Sequence, residues 1–291
     1  KEEKDKAREA ILKVTEAFSD YMDDEFLIAN DVVGYYKIEP TVIKYVDFFA
    51  ETQFEWIELP ENRPSIISEL LGSGSFSSVY KGKHNKTDTM VAIKFETFDV
   101  EIRLLQHEVT ILKYLYENGV RNIPAVYWYG KYNSNTCLVM SLYDCSLYSY
   151  ILNKSIITSS SIHSIIYQLI VIFESIHKNY IIHRDIKPQN IMIKNGILYI
   201  IDFGFSVFYI DSDRTHVEDI CSQNIIGSPK YVSYNIHCGS IPSRRDDLIS
   251  IGYIFYFMCS KELPWDNIQI DTTVIEEYDD THILNSKNIM R

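Results

Sequence analysis

The hydrophobic pattern changes three times along the chain. In residues 1–19, Ala10, Ile11, Val14 and Phe18 recur three to four positions apart among alternating charges, the stripe of an amphipathic helix. Residues 27–56 are richer in Ile, Val, Tyr and Phe but keep no settled period. Leu59-Pro60-Glu61-Asn62-Arg63-Pro64 then breaks the pattern with turn residues and marks a boundary. Beyond it the spacing predicts a strand over Ile66–Leu71 that runs into Gly72-Ser73-Gly74. Val79–Lys83 and Met90–Phe95 flank a polar turn at Asn85–Asp88, a hairpin signature. Leu104, Leu105, Val109, Leu112 and Leu115 place a helix over Glu101–Tyr116, and Cys137–Leu142 reads as another strand. From residue 158 helices dominate, first Ile162–His177 and then Asp246–Cys259. A small sheet-rich part followed by a larger helical part predicts an α+β, two-lobed architecture. Its smaller lobe is expected over 66–142 and its larger lobe over 143–291, with residues 1–60 as a separate, partly helical extension.

Composition narrows the function classes. With 46% hydrophobic and 23% charged residues in 291, wholesale disorder is excluded. No uninterrupted apolar run approaches the ~20 residues that span a bilayer, and Lys1–Arg8 holds no apolar signal core, so no membrane span is expected. Cys137, Cys145, Cys221, Cys238 and Cys259 are odd in number and scattered, without a CxxC pair. They read as reduced thiols of an intracellular protein, cytoplasmic or nuclear, and not as a disulfide framework or a zinc site. The net charge is −12, and the excess of acid is concentrated in the first 65 residues, which disfavours nucleic acid as a direct partner. Abundant Tyr and Ile beside scarce Gly and Pro point to an AT-rich source, such as a parasite or a large DNA virus.

Three signals carry chemistry. Gly72-Ser73-Gly74-Ser75-Phe76-Ser77-Ser78-Val79 lets backbone N–H groups approach phosphate oxygens. Alone it is better explained by a hairpin, and its place between two strands disfavours a dinucleotide fold. Val91-Ala92-Ile93-Lys94 then ends an apolar strand on a cation that could neutralise phosphates, and Glu108 on the following helix is the carboxylate that would fix it. The third signal is His183-Arg184-Asp185-Ile186-Lys187-Pro188-Gln189-Asn190, followed by Asp202-Phe203-Gly204. A carboxylate to orient an attacking hydroxyl and hard oxygen ligands for Mg²⁺ are what phosphoryl transfer needs. Any one of these is explicable as a loop, but their conjunction in this order is not.

At these residues the sequence resembles the eukaryotic protein kinases. Gly227-Ser228-Pro229-Lys230-Tyr231-Val232-Ser233-Tyr234-Asn235-Ile236-His237, Ser243-Arg244-Arg245-Asp246-Asp247 and Leu263-Pro264-Trp265 narrow the resemblance to the casein kinase I family, over roughly residues 66–268. The resemblance implies a two-lobed protein kinase fold and an ATP- and Mg²⁺-dependent enzyme that phosphorylates Ser and Thr of acidic or phospho-primed proteins. It implies Asp185 as catalytic base, Lys187 as stabiliser of the transferring group, and Lys94 with Glu108 at the α/β-phosphates. Asn190 and Asp202 would hold the metal. Leu71, Val79 and Ala92 would lie above the adenine, Met192 below it and Ile201 behind, with Met140 as gatekeeper and Ser141, Leu142 and Tyr143 as hinge. Lys230 and Arg214 are the implied substrate anion site, and Asp247 the brace under the catalytic loop. The sequence departs from the family at Ser77, which stands for the third loop glycine, and at Asp266–Asp271, where the family's lysine is missing. The few residues after Trp265 suggest a truncated chain or an abridged larger lobe. A pseudokinase acting as a docking protein is the alternative class, and the joint presence of Lys94, Glu108, Asp185, Asn190 and Asp202 argues against it.

Overall fold

The computed structural model describes residues 66–74, 77–83, 89–96, 104–132, 135–211, 215–217 and 226–266. The reading of residues 1–60 lies outside them, as do Ser75, Phe76 and Arg214.

Five strands build the smaller lobe: β1 (Ile66–Ser73), β2 (Ser77–Lys83), β3 (Met90–Glu96), β4 (Val126–Tyr132) and β5 (Asn135–Ser141). They form one antiparallel sheet in the order β1-β2-β3-β5-β4. β3 is central, and Val91, Ala92, Ile93 and Lys94 are all buried. That explains why its sequence is a continuous apolar run and not an alternation. Its register sets Lys94 beside Val79 of β2 and Leu138 of β5, and Ala92 beside Met140. Helix α1 (Leu104–Glu117) follows, with Leu105, Val109, Leu112 and Leu115 buried at helical spacing. On the other face Val91, Ile93, Cys137 and Val139 make a small separate cluster under Phe95, Trp128 and Tyr132.

The larger lobe begins at β6 (Cys145–Ser146) and α2 (Leu147–Asn153). Its main helices are α3 (Ser159–Lys178) and α5 (Arg244–Ser260), which pack together. Between them lie β7 (Ile181–Ile182), β8 (Ile191–Lys194), β9 (Ile197–Ile200), β10 (Val207–Phe208) and the one-turn α4 (Tyr234–His237). β6, β8 and β9 form one small sheet, β10 and β7 another.

α3 starts where Thr158 Oγ1 accepts the Ser161 N–H at 3.2 Å, and it buries Ile162, Ile165, Ile166, Leu169, Ile172, Phe173 and Ile176. α3, at 20 residues, is long and apolar enough to cross a membrane by length and composition alone, although Ser, His, Gln, Glu and Lys interrupt its apolar residues. Its burial makes it the central helix of a globular core instead. Each large side chain of that stripe contributes ~1.5–3 kcal/mol. α5 begins at Ser243, whose N–H and Oγ donate to Asp246 at 2.7 and 2.9 Å, and the acids of its first turn suit the positive end of the helix dipole.

Candidate active site

Three elements converge on one cluster: the end of β3, the middle of α1 and the turn after β9. Lys94 Nζ donates to Glu108 Oε2 at 2.7 Å and to Asp202 Oδ1 at 2.8 Å. The second bond joins residues 108 apart and ties the smaller lobe to the larger one. Burial acts to lower the Lys94 pKa, but the two carboxylates outweigh it and hold the ammonium charged well above its usual range. Burial likewise opposes the Asp202 carboxylate, yet Lys94 draws its pKa below the usual carboxylate value. Complete burial pushes the Glu108 carboxyl up against the pull of the same ammonium.

The 183–190 loop forms the second cluster. Asp185 is 4% exposed and is gripped on both oxygens. Oδ2 accepts from Lys187 Nζ at 2.7 Å and from Asn190 Nδ2 at 3.1 Å. Oδ1 accepts from the Ser228 N–H at 2.8 Å and from Ser228 Oγ at 2.7 Å. Lys187 Nζ also donates to Ser228 Oγ at 2.8 Å, which closes a triangle of carboxylate, ammonium and hydroxyl. A serine hydroxyl therefore already stands at hydrogen-bond distance from Asp185, the relation a base must have to the proton it accepts.

The loop is held from below. Asp247 accepts the His183 N–H at 2.9 Å and the Arg184 N–H at 3.0 Å, and its Oδ2 lies 2.8 Å from His177 Nε2. Arg184 and Asp202 both take left-handed backbone, with φ of 71° and 68°. Non-glycine residues keep such angles only where their surroundings over-determine them, and Tyr180, Asn195 and Lys261 share them elsewhere in the larger lobe. The Arg184 guanidinium donates through Nε to the Phe205 carbonyl. Gly227, at φ +102°, packs against the Arg184 carbonyl so closely that a Cβ would lie 2.3 Å from its oxygen.

Of the nucleotide residues named from sequence, Ser75 and Phe76 lie outside the described residues, and Val79 stands beside Lys94 in the register of β2 and β3. Ala92 and Met140 are buried partners across β3 and β5, while Val79 and Leu142 pack at the edge of the same core. Met192 and Ile201 are half-buried, and Ile201 N–H donates to the Asn190 carbonyl at 2.9 Å. Leu71 is exposed at the end of β1, as are Gly72, Ser73 and Gly74, and Ser73 and Ser78 hydroxyls meet at 3.1 Å across the strands. Ser141 is part of β5, and Lys194 donates to the Leu142 carbonyl at 3.1 Å. Asn190 and Asp202 offer an amide and a carboxylate oxygen, hard donors that suit Mg²⁺. Among the described residues no cluster of three or more His, Cys, Asp or Glu forms a metal site, so such an ion would complete its shell with phosphate and water.

Lys230 does not stand as an open cation. Its Nζ donates to Asp266 Oδ2 at 2.7 Å and lies 5.2 Å from the Phe257 ring centroid. Ser228 and the close approach of Gly227 were not assigned roles from sequence, because each acts across more than 40 residues of chain. Their only signal was membership of the run 227–237. His183 and His177 likewise gain their roles only through Ile201, Asp185 and Asp247.

Residues 66–290 match the family described as Protein kinase domain. Over 217 residues the chain is 32% identical to casein kinase I homolog 3 of Schizosaccharomyces pombe, covering 71% of this chain and 48% of that one. Over 214 residues it is 31% identical to casein kinase I homolog 1 of the same organism, with the same two shares. The chain thus spans about half the length of these relatives.

Proposed function

The chain belongs to the protein kinase family, and we propose that it is an active serine/threonine kinase of casein kinase I type, transferring the γ-phosphoryl group of ATP to hydroxyls of acidic or phospho-primed proteins. The observation that carries this is the Asp185–Lys187–Ser228 triangle facing the Lys94–Glu108–Asp202 cluster. A structural role alone would not require two buried or half-buried charge clusters across one cleft.

In this reading Asp185 accepts the hydrogen bond of the acceptor hydroxyl, aims its lone pair and takes its proton as the new oxygen–phosphorus bond forms and the bond from the γ-phosphorus to the bridging oxygen breaks, releasing ADP. Lys187, already 2.7 Å from that carboxylate, sits beside the incoming oxygen and stabilises negative charge on the transferring group. Lys94 holds the α/β-phosphates, and Glu108 keeps it aimed. Asp202 and Asn190 would hold Mg²⁺, which neutralises charge on the phosphates. The hydroxyl of Ser228 bridges Asp185 and Lys187 and holds the pair where an acceptor serine or threonine would meet it. Lys230, two residues on, is the cation that would meet an acidic or phosphorylated residue of the substrate. An intracellular location is supported by the free thiols of Cys137, Cys145, Cys238 and Cys259, of which burial pushes Cys137 up to about 12, out of reach of ready oxidation.

The test is transfer of labelled phosphate from Mg-ATP to casein by the purified protein, with Asp185→Asn and Asp202→Asn beside it. Both are near-isosteric, but an asparagine keeps one acceptor oxygen, so at Asp185 the donors on one side lose their partner and some Tm is lost as well. Each is expected to lower kcat by at least ~10³-fold at a temperature where the variant is folded, because positioning and charge carry nearly all of the catalysis. Undiminished phosphorylation in either variant would overturn the assignment, and its absence in the native protein would restore the docking reading.

A further inference from the structure

Lys230 lies on the strip of chain that touches the reactive centre. Its neighbour but one, Ser228, donates to Asp185, and the turn closed by the Tyr231 N–H on the Ser228 carbonyl at 2.8 Å keeps Lys230 nearer to it than the ~7 Å that two extended residues would span. A substrate peptide that lays its hydroxyl on Asp185 can therefore bring a residue two or three places away to the Lys230 ammonium. That ammonium is fixed and not free to search. Trp265 Nε1 donates to the Lys230 carbonyl at 3.0 Å, and the Phe257 and Tyr231 rings lie 5.2 and 5.8 Å from Nζ. The residue that completes the arrangement is Asp266. One oxygen, Oδ2, accepts both from Lys230 Nζ at 2.7 Å and from the Leu263 N–H at 2.9 Å. The second bond pins the carboxylate, so it does not swing away at no cost when a substrate arrives. Lys230 is 38% and Asp266 21% exposed at the side chain, so both remain within reach of a peptide crossing this edge.

We propose that Asp266 is a specificity-determining residue: an internal carboxylate that competes with acidic substrate groups for Lys230 and so blunts the enzyme's preference for them. This rests on the proposed kinase reading. A substrate carboxylate must displace a tethered equivalent of itself and gains little. A phosphate carries about −1.5 to −2 charges and gains more from Lys230, but it also meets the Asp266 charge alongside. The pair thus ranks substrates: neutral and carboxylate-bearing sequences nearly alike, phosphorylated ones modestly ahead.

The experiment measures kcat and KM separately on three peptides that share one acceptor serine and differ upstream: alanine, aspartate or phosphoserine. Asp266→Asn keeps an oxygen for the Leu263 N–H and removes the charge; Asp266→Ser, which also retains an acceptor, serves if the first variant does not fold. Releasing a half-exposed ion pair is expected to raise the aspartate-to-alanine ratio of kcat/KM about three- to fivefold, and the phosphoserine-to-alanine ratio about tenfold, both through KM. Adding Lys230→Ala to the Asp266 variant removes the gain, whereas Lys230→Ala alone moves the ratios far less. Equal changes on all three peptides, a gain that survives loss of Lys230, or the same effect of Lys230→Ala in both backgrounds would each overturn the proposal. If the native protein phosphorylated none of the peptides, the kinase reading itself would fall, a result distinct from unchanged ratios in an active enzyme.

Discussion

Replacing Gly227 with alanine sets a single methyl group against the catalytic loop. The new Cβ would stand 2.3 Å from the Arg184 carbonyl oxygen and 2.9 Å from Val232 Cγ1, where ordinary contact begins at 3.4 Å. The oxygen belongs to backbone and cannot rotate aside, so relief means moving the loop by about 1 Å, one residue before Asp185. Alanine at φ +102° adds strain of ~1–3 kcal/mol, and overpacking a filled site adds ~1–3 kcal/mol. Together these predict a loss of roughly 2–6 kcal/mol, or about 5–15 °C in Tm for a domain of this size. A 1 Å misplacement of a positioned group costs ~10²-fold in rate, so kcat should fall by that order even where the variant is still folded. Gly119→Ala is the matched control: its φ is +91°, but nothing lies within 4 Å of the added Cβ, so it bears the strain without the clash. Both variants go through thermal denaturation and an initial-rate assay at a temperature where each is fully folded. Gly119→Ala should lose some stability and keep its kcat. If Gly227→Ala lost no more stability than Gly119→Ala and kept kcat within twofold, the contact with Arg184 would not position the loop.

Two further outcomes are expected. Ser228→Ala removes the hydroxyl that bridges Asp185 and Lys187 but leaves the Ser228 N–H bond in place; kcat should drop about tenfold, the worth of a charged hydrogen bond, with KM for ATP unchanged, and an unaltered kcat would refute the role. His107 is half-buried on α1 with Nε2 2.6 Å from the Ser206 carbonyl oxygen, and burial holds its pKa below the ordinary value of 6.5. The folded state therefore favours the neutral ring, so its share of stability is present above about pH 6.5 and is lost as the pH falls toward and past the lowered value. Tm should decline less steeply between about pH 7.5 and 5.5 in His107→Gln than in the native protein, and equal slopes would show that another group sets the acid limit.

What could be read from the sequence was what is encoded locally. β3 was visible because Met90, Val91, Ala92 and Ile93 make an apolar run, and α1 because its buried leucines repeat at the helical period. The ends of α3 and α5 fell within three residues of the expected bounds, since Thr158 and Ser243 set them by short-range hydrogen bonds. β4 was missed: its residues are mostly half-buried and mix Tyr, Trp, Gly and Lys, so neither face reads as apolar. The two-residue strands β6, β7 and β10 have no period to detect and exist only through their partners. At the site, Lys94, Asp185 and Asp202 could be named because each sits in a short local motif, Val91–Lys94, His183–Asn190 and Asp202–Gly204, although the bond that joins Lys94 to Asp202 spans 108 residues. The pairing of Lys230 with Asp266 and the approach of Ser228 to Asp185 are products of folding, and nothing in one sequence joins residues 36 or 43 apart.

The bonds from Asp247 to the His183 and Arg184 amides have a consequence for how the molecule comes apart. Asp247 lies in the first turn of α5, whose Ile251 and Ile254 are wholly buried in the main core. The backbone just before the proposed base is thus secured to the element whose release means global unfolding, and not to a loop that opens by itself. Those two amides should exchange with solvent no faster than the core of α5. Catalytic order and thermodynamic stability then form one cooperative unit in the larger lobe. Partial loosening that spares the fold has to occur elsewhere among the described residues, as at the exposed strand β1.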